Sequence, residues 1–367
     1  MKIAVFHELP FGGAKDATLN LSKAIKNTSN VVDLYYVSDK KEEDDLRRLD
    51  NVYFYKFNEK KWIGKNWRIR LYKDTVELFK LYRLHKRIAR EIDFKKYDLV
   101  LVNGSKYIEA PFLLRFLTSY KIFYCHDPNY RIVYENALSV SKNVGFIKYN
   151  YEKLNRIIRK KLDKSNFLKA DLILANSKYA KKIIRKTYDK NSEVLYLGVD
   201  TDFFKQKNVK KDIDVLYIGS YNILDGYDTL KKSYKFLPKN LIIKKVMFED
   251  GWISDKKDIR DLYQRSKIVV CLARNEPFGL VPLEAMSCGV SVIAVDEGGY
   301  LDTVVDNETG FLIKRDPKTL YFAISKLLGD ENLRLRMGDR AREYAKKRWT
   351  WDKSAKNFMK ILKTYNL

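Results

Sequence analysis

The run from Ile268 to Val295 limits the possible folds most. Ile268–Leu272 is continuously apolar and reads as a buried strand, Leu283–Ser287 as a helix, and Ser291–Val295 as a second buried strand. Strand, loop, helix and strand make the βαβ unit of a parallel sheet. The loop in between carries chemistry. Glu276 stands at its mouth and Glu284 on the first turns of the helix, eight positions apart. Phe278-Gly279-Leu280-Val281 places a glycine and free backbone amides where the helix begins, an arrangement that suits a phosphate. An ionised carboxylate only accepts hydrogen bonds, so acids beside such amides suit a hydroxyl-rich ligand. The stretch therefore reads as a site for a ligand that is both phosphate and sugar.

The remaining chain repeats the pattern. Lys2–Phe6, Val31–Val37, Val52–Phe57, Asp98–Val102, Lys121–Cys125 and Asp171–Ala175 read as strands of one α/β series. A second series starts at Asp214–Ser220 and continues through Leu241–Phe248, Ile268–Leu272 and Ser291–Val295. Asn307–Ile313 reads as a hairpin-like turn and short strand, and Pro317–Leu328, Glu331–Arg348 and Trp351–Tyr365 as helices. A chain of 367 residues suits two domains, and the basic stretch Lys205–Lys211 reads as their linker. Two such halves are expected to face their ligand edges across a cleft. The expected first domain is 1–197, the second 198–349, with a terminal helix at about 350–367 packing back on the first.

Several strand ends draw attention. Gly12-Gly13 follows the first strand; the pair either admits a ligand to the backbone or makes a tight turn. His126-Asp127-Pro128 follows a buried strand at the sheet edge where open α/β folds bind ligands, and His126 is read as functional, His7 as structural. Ser177 is read as an N-cap. Cys125, Cys271 and Cys288 lie in or beside apolar runs without CxxC spacing and read as reduced, buried thiols.

Seventy-two basic against 47 acidic residues leave a net charge of +25, which calls for an anionic partner. Two tracts concentrate it. Lys60–Arg90 interleaves Lys and Arg with Trp62, Trp67, Tyr72, Phe79 and Tyr82, with an apolar stripe of Val76, Phe79, Leu81, Tyr82, Leu84 and Ile88. Val140–Lys169 places Leu154, Ile157, Ile158 and Leu162 on one face. Both tracts fit either an anionic lipid surface or a helix packed on a sheet, and the first also fits nucleic acid. No apolar run approaches the ~18–20 residues of a membrane span, and no signal-peptide core follows Met1. The expectation is a cytoplasmic protein whose membrane contact, on the inner face of the cell membrane, is peripheral.

Taken in order, these blocks resemble the retaining family 4 glycosyltransferases of the GT-B fold, two Rossmann-like domains facing across a cleft. The resemblance spans the chain. It rests on Asn275-Glu276-Pro277-Phe278-Gly279-Leu280 with Glu284-Ala285-Met286 and Gly289, similar to the family's E-x7-E signature, followed by Gly298-Gly299 and Asn307–Leu312. Gly12-Gly13, His126-Asp127, Ala175-Asn176-Ser177, Gly198–Phe204 and Trp349-Thr350-Trp351 support it.

The resemblance implies that Glu276 and His126 attend the transferred sugar and that Glu284 holds the ribose. It implies that amides of Gly12, Gly13, Phe278, Gly279 and Leu280 cradle the diphosphate. It also implies a metal-free reaction without cofactor, in which the leaving diphosphate is stabilised electrostatically. The partners implied are a nucleotide-diphosphate-sugar donor, a glycan or polyisoprenyl, lipid-linked acceptor, and an anionic membrane surface. Nucleic acid is not expected, because it leaves the glycine–carboxylate constellation unexplained.

One departure stands out. Ser220 and Asp225 occupy the positions of the family's Arg and Lys, which clamp the diphosphate, and each such contact contributes roughly 1.5–3 kcal/mol. Arg274 or Lys15 is the replacement considered. The alternative reading is a catalytically impaired scaffold that binds a partner. A milder departure is Asp302, where the family often has Glu.

Overall fold

The computed structural model describes residues 1–10, 12–41, 46–60, 67–128, 145–251, 253 and 255–367. They form two compact units: 1–176 with 180–195 and 355–367, and 177–179 with 196–354.

The first unit is a seven-stranded parallel sheet of β1 (Lys2–Glu8), β2 (Val31–Ser38), β3 (Val52–Lys56), β4 (Leu99–Ser105), β5 (Lys121–Cys125), β6 (Leu172–Ala175) and β7 (Glu193–Val194), in the order β3-β2-β1-β4-β5-β6-β7. β1, β4 and β5 are buried almost throughout, as strands covered on both faces must be. The order reverses between β1 and β4, so the carboxyl ends of those strands flank a switch-point crevice. Helix α1 (Gly13–Lys26) leaves β1 through Gly12, whose φ of 143° favours glycine. The terminal helix (Trp351–Thr364) adds Ala355, Phe358 and Leu362 to the buried core, and within this unit Asn30 and Glu193 contact Met359 and Tyr365.

Two helices of this unit differ from the sequence reading. In α2 (Leu78–Phe94) the buried stripe is Leu81, His85, Ile88, Ala89 and Ile92, whereas Val76 and Phe79 are exposed. The periodicity is helical, but its phase is set by His85, which lies 3.1 Å from Glu8 in a fully buried pair. In α3 (Phe146–Phe167) most of the expected face turns outward, while Leu162 packs partly buried against the core. Asn155, Asp163, Asn166 and Phe167 are buried, while Phe146, Ile147, Leu154, Ile157 and Ile158 are exposed.

The reason for the inversion is the loop after β4, whose backbone needs partners. Asp163 accepts from the Ala110 amide (2.9 Å) and the Tyr188 hydroxyl (2.7 Å), and Asn166 donates to the Ala110 carbonyl (2.7 Å). Asp74 is buried in the same way, accepting from Arg159 at 2.6 Å, Tyr151 at 2.9 Å and Asn155 at 3.1 Å. Residues 61–66 and 140–144 of the two basic tracts, Trp62 among them, lie outside the described residues.

The second unit is a five-stranded parallel sheet of β8 (Ile213–Gly219), β9 (Ile243–Met247), β10 (Ser266–Cys271), β11 (Ser291–Val295) and β12 (Gly310–Ile313), in the order β12-β11-β10-β8-β9. The turn before β12 feeds a parallel edge strand rather than a hairpin. Here the switch point lies between β8 and β10, which puts the loops carrying Ser220 and Glu276 on its two sides. Among the described residues no helix is long and apolar enough to cross a membrane.

Candidate active site

Helix α4 spans Lys178–Tyr188; in the second unit β10 ends at Cys271, and the chain turns through Arg274 and Asn275 into helix α5 (Leu280–Ser287). Asn275 has φ 51° and Gly279, the N-cap of α5, has φ 98° with no side-chain cap. The turn is held from three sides. Gly299 donates its amide to the Glu276 carbonyl at 2.7 Å. A Cβ at Gly298 (φ 63°) would lie 2.5 Å from that carbonyl oxygen, so the glycine pair is a packing requirement. Arg315 donates to the carbonyls of Leu272 and Ala273 while paired with Glu297 at 2.8 Å.

Glu276 and Glu284 are both half-buried. Tyr300 is buried beside the turn, and its phenol is pushed well up, first by burial and next by the charge of Glu276. Glu284 accepts from the Tyr263 hydroxyl at 2.8 Å, which aims the carboxylate without neutralising it. Neither Tyr263 nor Arg315 carries a sequence signal, because both reach the loop from distant elements. Ser177, read as a cap, donates its hydroxyl to the Pro277 carbonyl, while the Lys178 amide at the start of α4 donates to Asp302 at 2.7 Å.

The clamp positions satisfy each other. Ser220 donates its hydroxyl to the Asp225 carboxylate, and its oxygen accepts from the Asn222 amide at 3.2 Å. Arg274 donates its backbone amide to the Leu224 carbonyl (2.6 Å) and its Nε to the Ile223 carbonyl (3.0 Å), and it pairs with Asp228 at 3.3 Å. This guanidinium therefore ties the β10 loop to the β8 loop, a structural role the sequence reading did not assign to it. Ser220, Arg274, Glu276, Phe278, Gly279, Leu280 and Glu284 all belong to these two loops and to α5.

Gly12, Gly13 and His126 belong to the first unit. Gly12 precedes α1, and a Cβ there would meet nothing within 4 Å, so backbone is open to a ligand at that point. His126 closes β5, 6% exposed, and burial pulls its pKa down to about 4. His7 is buried near the end of β1, with its pKa drawn down to about 3 by burial, then by Lys15 and His126. His7, Lys15 and His126 thus share one neighbourhood, and both rings stay neutral near pH 7. Glu109, buried under the His126-Asp127 turn, accepts from the Asp127 amide at 3.2 Å; burial and then the Asp127 charge raise its pKa well above the carboxylate range.

Comparison with known proteins matches the same regions. A model of glycosyltransferase family 4 matches residues 11–203, and a model of group 1 glycosyl transferases matches residues 243–344. An uncharacterized glycosyltransferase of Methanocaldococcus jannaschii is 25% identical over 265 residues, 62% of this chain and 68% of that protein. The alpha-1,3/1,6-mannosyltransferase of Schizosaccharomyces pombe is 26% identical over 334 residues, 72% of this chain and 62% of the yeast protein. Among solved structures, sucrose-phosphate synthase of Thermosynechococcus elongatus has a TM-score of 0.75 at 17% identity, covering 99% of this chain and 98% of that one. Anabaena HepE in complex with UDP and glucose has a TM-score of 0.68 at 17% identity, covering 99% of each chain. These likenesses identify the two parallel-sheet units as the Rossmann-like domains of the GT-B fold.

Proposed function

The chain belongs to glycosyltransferase family 4, and from that premise we propose that it moves a sugar, with retention, from a nucleotide-diphosphate donor to a glycan or lipid-linked acceptor. The supporting observation is the β10 turn: two carboxylates flank an uncapped helix start at the switch point of the second sheet. In this reading Glu276 accepts hydrogen bonds from sugar hydroxyls and Glu284, aimed by Tyr263, from the ribose. The amides of Phe278, Gly279 and Leu280 face the diphosphate; Gly12 and Gly13, at the start of α1, are likewise proposed to contact phosphate through open backbone. Stabilising the departing diphosphate is the main catalytic contribution, and no protein nucleophile is required. The solved relative that binds UDP and glucose supports a nucleotide-sugar donor.

The reading routes no step through a metal, so transfer should survive EDTA. The direct test is incubation of the purified chain with UDP-glucose, GDP-mannose and related donors, followed by detection of released nucleotide. Wild-type turnover that disappears in Glu276→Ala supports the reading. No binding and no release with any donor would remove it.

The acceptor is proposed to lie at an anionic membrane surface, met peripherally from the cytoplasmic side. The inverted α3 supports this. Phe146, Ile147, Leu154, Ile157 and Ile158 form an exposed apolar row beside exposed Lys148, Lys153, Lys160, Lys161 and Lys164. The short helix Trp67–Tyr72 lies alongside through Arg70–Glu152 at 3.1 Å and adds exposed Trp67 and Leu71. Apolar residues entering the headgroup layer between lysines is the pattern of an interfacial helix.

A second reading, a scaffold impaired in catalysis, is favoured by one observation. Ser220 and Asp225 form a closed pair where a cationic clamp would stand. Calorimetry separates the two, since a scaffold of that kind binds neither UDP nor GDP.

A further inference from the structure

His126 is wired to α1 through one amide. Asn103, buried at the end of β4, donates Nδ2 to the Phe6 carbonyl at 3.2 Å. That bond settles which way the amide points, so Oδ1 is the atom turned toward His126, and His126 Nε2 lies 3.0 Å from it. Thr18 brings its hydroxyl to 3.1 Å from the same oxygen and to 2.9 Å from the Ala14 carbonyl. An amide oxygen accepts and never donates, so Nε2 carries the ring hydrogen. A neutral imidazole has only one, which leaves Nδ1 as a bare lone pair. Nδ1 is buried and has no partner among the described residues. The ring is fixed in place by Tyr124, 4.5 Å away between centroids, and the His126 carbonyl accepts from Asn176 at 3.1 Å.

We propose that Asn103 is a positioning residue that holds His126 as its Nε2–H tautomer, so that Nδ1 accepts a hydrogen bond from a hydroxyl of the bound sugar. The inference rests on the glycosyl-transfer reading for the ligand, while the tautomer stands on the geometry alone. It also restricts the ligand. A lone pair on a neutral ring attracts an O–H and repels a carboxylate or phosphate, so the group at this contact is a hydroxyl and not an acid. The same ring with the hydrogen on Nδ1 would present a donor there and lose its acceptor toward that hydroxyl.

Nitrogen-15 histidine labelling of the full chain tests this, with His126 assigned by its disappearance in His126→Gln. Long-range proton–nitrogen spectra at pH 7 are expected to show a protonated Nε2 and an unprotonated Nδ1. Asn103→Leu removes the acceptor, and the two nitrogens should then move toward an exchange-averaged pair. Asn103→Asp keeps an acceptor, so the tautomer should persist while the His126 titration moves upward. Among the described residues, Asn103, Tyr124 and His7 lie around the ring, Lys15 acts on His7, and Glu109 and Asp127 adjoin the His126 backbone. An Nδ1–H ring in wild type overturns the proposal. So does an unchanged spectrum in a folded Asn103→Leu, or, where that variant does not fold, an unmoved titration in Asn103→Asp.

A binding arm addresses the sugar. In Asn103→Leu, affinity for UDP-glucose or GDP-mannose, whichever wild type binds, should fall about 5–10-fold while affinity for the matching nucleotide stays constant. Equal loss for both would overturn the sugar contact. If wild type binds neither donor, the glycosyl-transfer reading fails with those donors, and the tautomer result is unaffected.

Discussion

At Ser220 and Asp225 two side chains satisfy one another where cations would meet a diphosphate. Replacing them with Ser220→Arg and Asp225→Lys adds two positive charges and removes one negative. UDP should then bind roughly tenfold tighter or better, since a charge-assisted contact contributes about 1.5–3 kcal/mol; calorimetry reading no change would mean that the amides of the β10 turn already suffice. Tyr263→Phe leaves the ring and deletes only the hydroxyl that holds Glu284. The expected loss in nucleotide affinity is about 0.5–1.5 kcal/mol, with the unfolding midpoint little altered. His126 and His7 set a pH dependence. Their folded pKa values, about 4 and about 3, lie below the unfolded value near 6.5. The unfolded chain therefore binds more protons in that window, so their contribution is complete above about pH 6.5 and declines as pH falls toward 4 and then 3. Urea midpoints measured from pH 7 to 4 should fall, and His126→Gln should flatten the part of the curve between about 6.5 and 4.

Helix α3 makes the opposite statement on its two faces. Asp163 is buried and accepts from the Ala110 amide and the Tyr188 hydroxyl. Asp163→Ala leaves both donors buried without that acceptor and should cost roughly 2–4 kcal/mol in chemical unfolding. Leu154→Asp with Ile158→Asp changes only exposed positions, so stability should stay within about 0.5 kcal/mol per site. The same pair should abolish flotation with anionic vesicles at low salt, and retained flotation would place any lipid contact elsewhere. Within the β10 turn, Gly298→Ala puts a Cβ 2.5 Å from the Glu276 carbonyl at a φ of 63°. The loop must shift, and a cost of roughly 1–3 kcal/mol together with loss of donor binding is expected.

For the molecule as a whole, a net charge of +25 makes any vesicle association salt-sensitive, because exposed charges are screened over about 8–10 Å near physiological ionic strength. Flotation that persists unchanged in high salt would show that the apolar row of α3 acts without the lysines. The strands, the glycine turns and the E-x7-E loop were legible in the sequence because each is local. A buried parallel strand is a continuous apolar run, and a turn at positive φ favours glycine or asparagine within a few residues of the strand end. The glycine–carboxylate loop at Glu276 and Glu284 and the turn at Gly12-Gly13 could accordingly be located from the sequence, while their roles came from the family resemblance. The face that each basic helix buries was not legible. In α3 the polar residues go inward because the loop after β4 supplies amides and carbonyls that need partners. In α2, His85 goes inward because Glu8 waits at the end of β1. Tyr263 on Glu284, Arg315 under the β10 turn, Arg274 on Asp228 and Asn103 on His126 are likewise products of tertiary structure. The amino-acid sequence determined by itself which backbone segments form the two sheets and where the glycine turns at their carboxyl ends lie. Only the tertiary structure decided which polar side chains pair with which, because hydrogen-bond partners tens of residues apart leave no periodic trace along the chain.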